Sequence, residues 1–231
     1  MSEAWALLPA AGSGSRFGGP VPKQYLEIEG RPLFAHALDT LLIHRRIDGA
    51  VVALAEGDTL WPGWAQRHGK PVIACTGGAS RAASVRAALD ALPAHVGDDA
   101  LVLVHDAARP HLHAIDIDRL VNAARDCDDG ALLGAPVRDT LKRSDGGTQP
   151  RVASTEPRAA LWRAFTPQAF RVALLREALD AAARDGVEPT DDAMAVERLG
   201  RRPRLVEGRE DNLKVTTPAD LTIAQVLLAR G

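Results

Sequence analysis

Between Trp5 and Val137, short and almost wholly apolar runs alternate with amphipathic segments, and this rhythm restricts the fold more than any other feature of the chain. The runs Trp5 to Pro9, Gly49 to Ala55, Pro71 to Thr76, Ala100 to His105 and Gly130 to Val137 carry apolar residues on both faces, as strands covered on both sides do. Segments with helical periodicity lie between them, over Pro32 to His44, Thr59 to His68, Ser80 to Leu92 and Ile115 to Asp128. Strand, helix, strand in this order predicts an α/β fold: a mostly parallel, doubly wound, Rossmann-like sheet with right-handed crossovers and helices on both faces. Ligands then belong beyond the carboxyl ends of the strands.

The rhythm breaks after Val137. Arg138 to Pro157 is polar and holds Asp145-Gly146-Gly147 between two β-compatible stretches, which reads as a hairpin arm. A lone two-stranded hairpin is marginal in water, so the arm at about 138–157 is expected to pack on a partner. Helical patterns resume over Arg171 to Arg184 and Thr190 to Leu199. A strand follows near Arg204 to Glu207, then a last helix opened by Thr217 as N-cap and Pro218 in the first turn. At about 150 residues per domain, 231 residues read as one domain with this arm attached.

Charge and composition exclude several functions. The 28 basic and 30 acidic side chains provide no basic field of the kind nucleic-acid binding needs. No run has the length of a membrane span, and the apolar start follows Glu3 without a basic region, so the cytoplasm is the expected compartment. Cys75 and Cys127 stand far apart without histidines at ligand spacing, so neither a disulfide framework nor a zinc site is expected. Arg outnumbers Lys 24 to 4, which makes Lys23, Lys70, Lys142 and Lys214 exceptions to the chain's habit.

Three loops carry candidate chemistry. Leu8 to Gly18 is a glycine-rich turn directly after the first strand. Its small residues let backbone N–H groups surround phosphate oxygens, with Arg16 and Lys23 to neutralise them. Phe17 stands where a dinucleotide fingerprint needs its third glycine, and no Gly-Lys-Ser/Thr follows at Walker spacing. The second loop, Thr76 to Arg81, opens a helix with Ser80 as N-cap. It is either a plain strand-to-helix turn or a close approach for a base or ribose. The third is His105-Asp106-Ala107-Ala108-Arg109-Pro110. Asp106 there is a candidate for Mg2+ or a sugar hydroxyl and Arg109 for a bidentate phosphate clamp, unless the two simply pair with each other. His105 reads as satisfying a backbone group. Lys214, in a partly apolar stretch, points either to a cleft or to solvent. These residues alone support a phosphate-ligand α/β enzyme.

Together the motifs resemble the 2-C-methyl-D-erythritol 4-phosphate cytidylyltransferases over nearly the whole chain. The resemblance is carried by the glycine loop with Pro22-Lys23-Gln24-Tyr25, Gly77-Gly78 with Arg81 and Ser84-Val85, and His105 to Pro110. Ala135 to Thr140, Thr166-Pro167-Gln168, Thr190-Asp191-Asp192 and Glu207 to Thr216 complete it. It implies transfer of a cytidylyl group from CTP to methylerythritol phosphate with Mg2+, in the non-mevalonate route to isoprenoids. It implies CTP contacts at Ala10, Ala11, Gly12, Gly14, Arg16, Lys23, Gly78 and Ser84. It places Asp106, Arg109, Thr140, Arg158, Thr166, Thr190, Asp211 and Lys214 near the sugar phosphate or the reacting phosphates. Arg16, Lys23 and Lys214 are the expected catalytic cations, and Asp106 the expected metal contact.

A phosphate monoester with its second pKa near 6 is already largely ionised at neutral pH, so the expected mechanism is positioning and charge neutralisation without a general base. A homodimer is expected in which the arm crosses to the partner and brings Thr140 to its sugar-phosphate site. The nearest alternative is a cytidylyltransferase for another polyol phosphate such as ribitol 5-phosphate. A dinucleotide oxidoreductase is disfavoured by Phe17, and a noncatalytic nucleotide-binding module would show no turnover.

Overall fold

The computed structural model describes residues 4–12 and 21–230. The chain begins with β1 (Ala4–Pro9), a 3-10 turn (Lys23–Tyr25), the short pair β2 (Glu27–Ile28) and β3 (Arg31–Pro32), and α1 (Leu33–Ile43). β4 (Gly49–Leu54), β5 (Gln66–Arg67), β6 (Lys70–Thr76), α2 (Arg81–Asp90), β7 (Leu101–Val104), α3 (Ala114–Arg125) and β8 (Ala131–Pro136) follow. The second half contains β9 (Leu141–Ser144), β10 (Val152–Glu156), β11 (Trp162–Arg171), α4 (Val172–Arg184), α5 (Asp192–Arg198), β12 (Arg204–Glu207) and α6 (Pro218–Leu228).

Eight strands form one sheet in the order β12-β8-β11-β7-β1-β4-β6-β5. The pairs β1 with β4, β1 with β7, β4 with β6 and β12 with β8 are parallel, while β11 runs antiparallel to both β7 and β8. The expected α/β fold is thus present, with one antiparallel strand inside it. From β1 the chain first winds out through β4 and β6, then returns to β7 on the other side. β1 is therefore flanked at a switch point, where an open α/β sheet has its crevice.

Strand pleating explains why the runs are apolar on both faces. In β1, Ala4, Ala6 and Leu8 pack into a core with Leu38, Leu41, Leu42, Ile117, Leu120 and Val121 from α1 and α3. Trp5 and Leu7 point the other way, into a core with Val85, Leu89, Leu175, Leu179 and Val196 from α2, α4 and α5. Truncating one such buried leucine costs about 2–5 kcal/mol. Gly49 makes room for Trp5, since a Cβ there would lie 2.6 Å from Trp5 Cη2 and 2.9 Å from Pro71 Cγ.

Two expectations need correction. Thr59 to His68 is not a helix. Pro62 and Gly63 interrupt it, and Trp61 and Trp64 stack on Phe34 at ring-centroid distances of 5.4 and 5.5 Å. A two-residue turn then joins β5 to β6, with His68 and Gly69 at φ of 52° and 72°. Trp162–Arg171, unassigned to any strand by its sequence, is the longest strand of the sheet. Pro167 argues against a central strand because it lacks an N–H, but it falls where the β11 and β8 ladder shifts register between Ala164 and Gln168.

The hairpin at 138–157 is present as β9 and β10, a separate two-stranded sheet with Gly146 at φ 78° in its turn. Most of its residues are exposed. Thr217 caps α6 in a capping box with Asp220, behind Pro218. No helix among the described residues is long and apolar enough to cross a membrane.

Candidate active site

The carboxyl ends of β1, β6 and β7 open into a cleft of about 210 Å3, where ligands of an open α/β sheet belong. Ala10, Ala11 and Gly12 form one wall, Gly78, Ala79, Ser80 and Ser84 another, and Lys23, Arg81, Asp106 and Lys214 supply charge. Gln24 holds the first wall by donating from Nε2 to the carbonyls of Ala10 (2.7 Å) and Gly12 (3.1 Å). Gly14 and Arg16 lie outside the described residues.

The second wall is shaped by packing. A Cβ on Gly78 would come within 2.4 Å of Ala83 Cβ, so glycine is required there by the approach of α2. The Ser84 hydroxyl accepts from Gly78 N (3.1 Å) and donates to Ser80 O (2.8 Å), while Ser80 Oγ accepts from Ala83 N as the N-cap. Ser84 is buried, and its hydroxyl shapes the Gly78 turn from behind.

A second cleft opens beside the first, lined by Arg109, Phe165, Thr166, Gln168, Thr190 and Asp191. Arg81, Asp106 and Lys214 line both clefts. At this shared wall three cations converge on the Asp106 carboxylate. Arg81 Nε lies 3.2 Å from Oδ1, and Lys214 Nζ and Arg109 Nε lie 2.9 and 3.3 Å from Oδ2. Burial alone would raise the Asp106 pKa, but Arg81, Lys214 and Arg109 overcome it and hold the group ionised, well below the usual carboxylate range. Arg81 also reaches the fully buried Asp192 at 2.8 Å. Sequence reasoning assigns neither Arg81 nor Asp192 to the site, although both stand in motifs that carry the resemblance. Their signal is a long-range contact between two loops.

Behind this wall, hydrogen bonds fix the backbone. Asp106 N donates to Thr166 Oγ1 at 3.0 Å, and Thr166 Oγ1 lies 3.1 Å from His105 Nδ1. Burial lowers the His105 pKa to about 4, so the ring is neutral at pH 7. With Nε2 facing Arg109 O at 3.1 Å, that nitrogen carries the proton and Nδ1 accepts from the Thr166 hydroxyl. His105 therefore satisfies a backbone carbonyl, as expected, and has no nitrogen free to act as a base. Asn212 ties the last loop in, donating to Thr166 O (2.7 Å) and accepting from Arg109 Nη1 through its carbonyl (2.7 Å).

The remaining expected residues divide. Arg109, Thr166 and Thr190 line the second cleft and Lys23 the first. Asp211 lines neither; its carboxylate faces Arg209, His111 and His113. Thr140 and Arg158 are exposed at the base of the arm, outside both clefts, with Arg158 donating to Arg138 O. As a metal contact Asp106 fits poorly, because both oxygens already face cations and a divalent ion would be added to positive charge. The carboxylate is a counter-ion that orients Arg81, Arg109 and Lys214.

The sequence profile described as IspD, 2-C-methyl-D-erythritol 4-phosphate cytidylyltransferase, matches residues 4–230. The chain belongs to this family. A relative of that description from Stenotrophomonas maltophilia strain K279a is 57% identical over 228 residues, covering 98% of this chain and 97% of its own. One from Xanthomonas campestris pv. campestris strain 8004 is 57% identical over 97% of this chain and 84% of its own. Among solved structures, the Thermus thermophilus family member is 37% identical with a TM-score of 0.78, covering 99% of this chain and all of its own. The Francisella tularensis enzyme is 29% identical with a TM-score of 0.83, over 98% of this chain and 100% of its own. Family membership makes the chain a nucleotidyltransferase.

Proposed function

We propose that this chain transfers the cytidylyl group of CTP to 2-C-methyl-D-erythritol 4-phosphate and releases pyrophosphate, as a cytoplasmic homodimer in isoprenoid precursor synthesis. One observation carries the reading: Arg81, Asp106 and Lys214 line both clefts, so an anion in either one lies against the same charged wall. CTP occupies the cleft of Ala10, Ala11, Gly12 and Lys23, and the sugar phosphate the cleft of Arg109, Thr166 and Thr190.

The barrier to reaction is repulsion between two anions. Lys214 and Arg81 offset charge where the phosphate meets the α-phosphorus, and Lys23 with Arg16 offsets charge along the triphosphate. The nucleophile is ionised before it binds and needs no base. Mg2+ would enter with CTP and add to neutralisation of the triphosphate, since a small ion that dehydrates reluctantly suits substrate phosphates better than an all-protein cage. The chain's own part is to orient the two phosphates in line.

The arm supports the homodimer. Thr140 and Arg158, assigned to the sugar phosphate by resemblance, lie outside the clefts of their own chain, and a second copy's arm would bring them to the site. The test is pyrophosphate release from CTP, Mg2+ and each of two acceptors. Turnover with methylerythritol phosphate, and none without an acceptor, is expected. Equal or faster turnover with ribitol 5-phosphate would transfer the assignment to that alternative.

A further inference from the structure

Next to the wall of Arg81, Asp106 and Lys214, and outside both clefts, two histidines converge on a carboxylate, each through a ring nitrogen that makes no hydrogen bond. His111 Nδ1 lies 3.7 Å and His113 Nε2 3.5 Å from the same atom, Asp211 Oδ2. Both ring nitrogens are buried, and neither has a hydrogen-bond partner. The three donor atoms lie within 4.8 Å of one another, and the rings meet edge to face with centroids 4.6 Å apart. A buried ring nitrogen without a hydrogen bond is costly, and here two of them lie just beyond bonding distance of one carboxylate oxygen.

We propose that His111 Nδ1, His113 Nε2 and Asp211 Oδ2 bind one Zn2+ ion, which braces the two loops that carry the catalytic wall. Zinc takes nitrogen and carboxylate oxygen at about 2.0–2.2 Å in tetrahedral geometry, which separates neighbouring ligand atoms by roughly 3.4 Å. The distances of 3.5 and 3.7 Å are close to that edge. Two imidazoles with one carboxylate suit a borderline ion and not Mg2+ or Ca2+, which prefer oxygen alone. The absence of cysteine ligands, which leads the sequence away from zinc, does not bear on a site of this composition.

The surroundings fit the assignment. Arg209 grips the outer side of the Asp211 carboxylate, with Nε 3.1 Å from Oδ1 and Nη2 2.6 Å from Oδ2, as an outer partner that orients a metal-binding carboxylate. An oxygen has two lone pairs, so this contact leaves Oδ2 able to bind an ion. His113 is the N-cap residue of α3, where Ser, Thr, Asp or Asn is preferred, and its side chain makes no cap hydrogen bond. Its imidazole turns toward Asp211 instead.

The consequence is mechanical. His111 and His113 follow Arg109 by two and four residues, and Asp211 precedes Lys214 by three. The two loops already join through Arg109 Nη1 to Asn212 O (2.7 Å) and Val215 N to Ala108 O (2.8 Å). A shared ion would pin their outer ends, fixing Arg109 and Lys214 relative to each other.

The test uses the full chain without a histidine tag, stripped by chelator and titrated with Co2+ as a visible-absorbing probe, with Zn2+ as competitor. About one ion per chain, displaced by Zn2+, and a higher unfolding midpoint with Zn2+ are expected. His111→Ala, His113→Ala and Asp211→Asn should each weaken binding by at least about 100-fold and abolish the midpoint shift. Three variants are compared, with circular dichroism as the folding check, so that loss of one leaves two. His95→Ala, at a ring against Trp5, should bind as wild type does. Less than about a tenth of an ion per chain, or equal affinity in the folded variants, would overturn the assignment. Because the readout is ion binding, failure here leaves the cytidylyl-transfer reading standing, and failure of that reading leaves this one.

Discussion

Removing the Lys214 ammonium should slow the reaction while leaving the fold nearly intact. Its Nζ lies 2.9 Å from Asp106 Oδ2, yet the side chain is 40% exposed, against 10% for Arg109 and 24% for Arg81. Asp106 keeps those two partners in Lys214→Ala, so the carboxylate is not left as an unpaired buried charge. A cation about 4 Å from a phosphoryl oxygen, at an effective dielectric near 20, interacts by about 4 kcal/mol. Exposure of Lys214 to solvent and compensation by Arg81 reduce that figure, toward the ~2.7–4 kcal/mol typical for loss of one preorganised charge. The expected result is a fall in kcat/KM for pyrophosphate release of roughly 100- to 1,000-fold, with a thermal midpoint within a few degrees of wild type. Lys70→Ala is the control, because its ammonium donates to His44 O at 2.6 Å and lines neither cleft. An activity of Lys214→Ala within about threefold of wild type would return this lysine to an ordinary solvated position and remove the shared wall from the mechanism.

Three other outcomes follow from named contacts. His105 is neutral in the fold with its pKa lowered to about 4, whereas unfolded histidine titrates near 6.5. The unfolded chain then binds the extra proton in that window, and stability should fall on acidification from pH 6.5 to 4 by on the order of 3 kcal/mol; urea unfolding in wild type that is flat over this window would contradict the assignment. Gly49→Ala would press a methyl group against the buried Trp5 ring, and should cost about 1–3 kcal/mol in the same assay; an unchanged midpoint would mean that the ring has room to move. If Thr140 acts on the partner's site, mixing inactive Lys23→Ala and Thr140→Ala chains should restore about a quarter of wild-type activity. Half of the randomly exchanged dimers would be hybrids with one intact site each. No recovery after proven subunit exchange would leave each arm serving its own chain.

The sheet is legible in the sequence because burial on both faces forces continuous apolar runs, and β1, β4, β6, β7 and β8 fall within a residue or two of their expected ends. β11 is hidden by Pro167, whose missing N–H argues against a central strand until the register shift beside it is seen. The segment at Thr59 imitates a helix through its spacing of Thr59, Leu60, Trp61 and Trp64, yet Pro62 and Gly63 are sufficient to break it. The loops that carry the candidate site can be recognised one at a time. Their assembly cannot, since Arg81, Asp106, Asp192 and Lys214 are brought together by crossovers that no local pattern records. The resemblance assigns Ser84 and Gly78 to CTP, and the structure gives them a second task in the packing of α2.

The proposed mechanism is one in-line displacement at the α-phosphorus of CTP, with the sugar phosphate and the triphosphate meeting across the wall of Arg81, Asp106 and Lys214. Its most direct test is the configuration at phosphorus after transfer from CTP made chiral by an α-thio substitution, read by phosphorus NMR of the product. A single displacement across that wall predicts inversion. Retention would require two displacements and a cytidylylated enzyme, and would contradict the account.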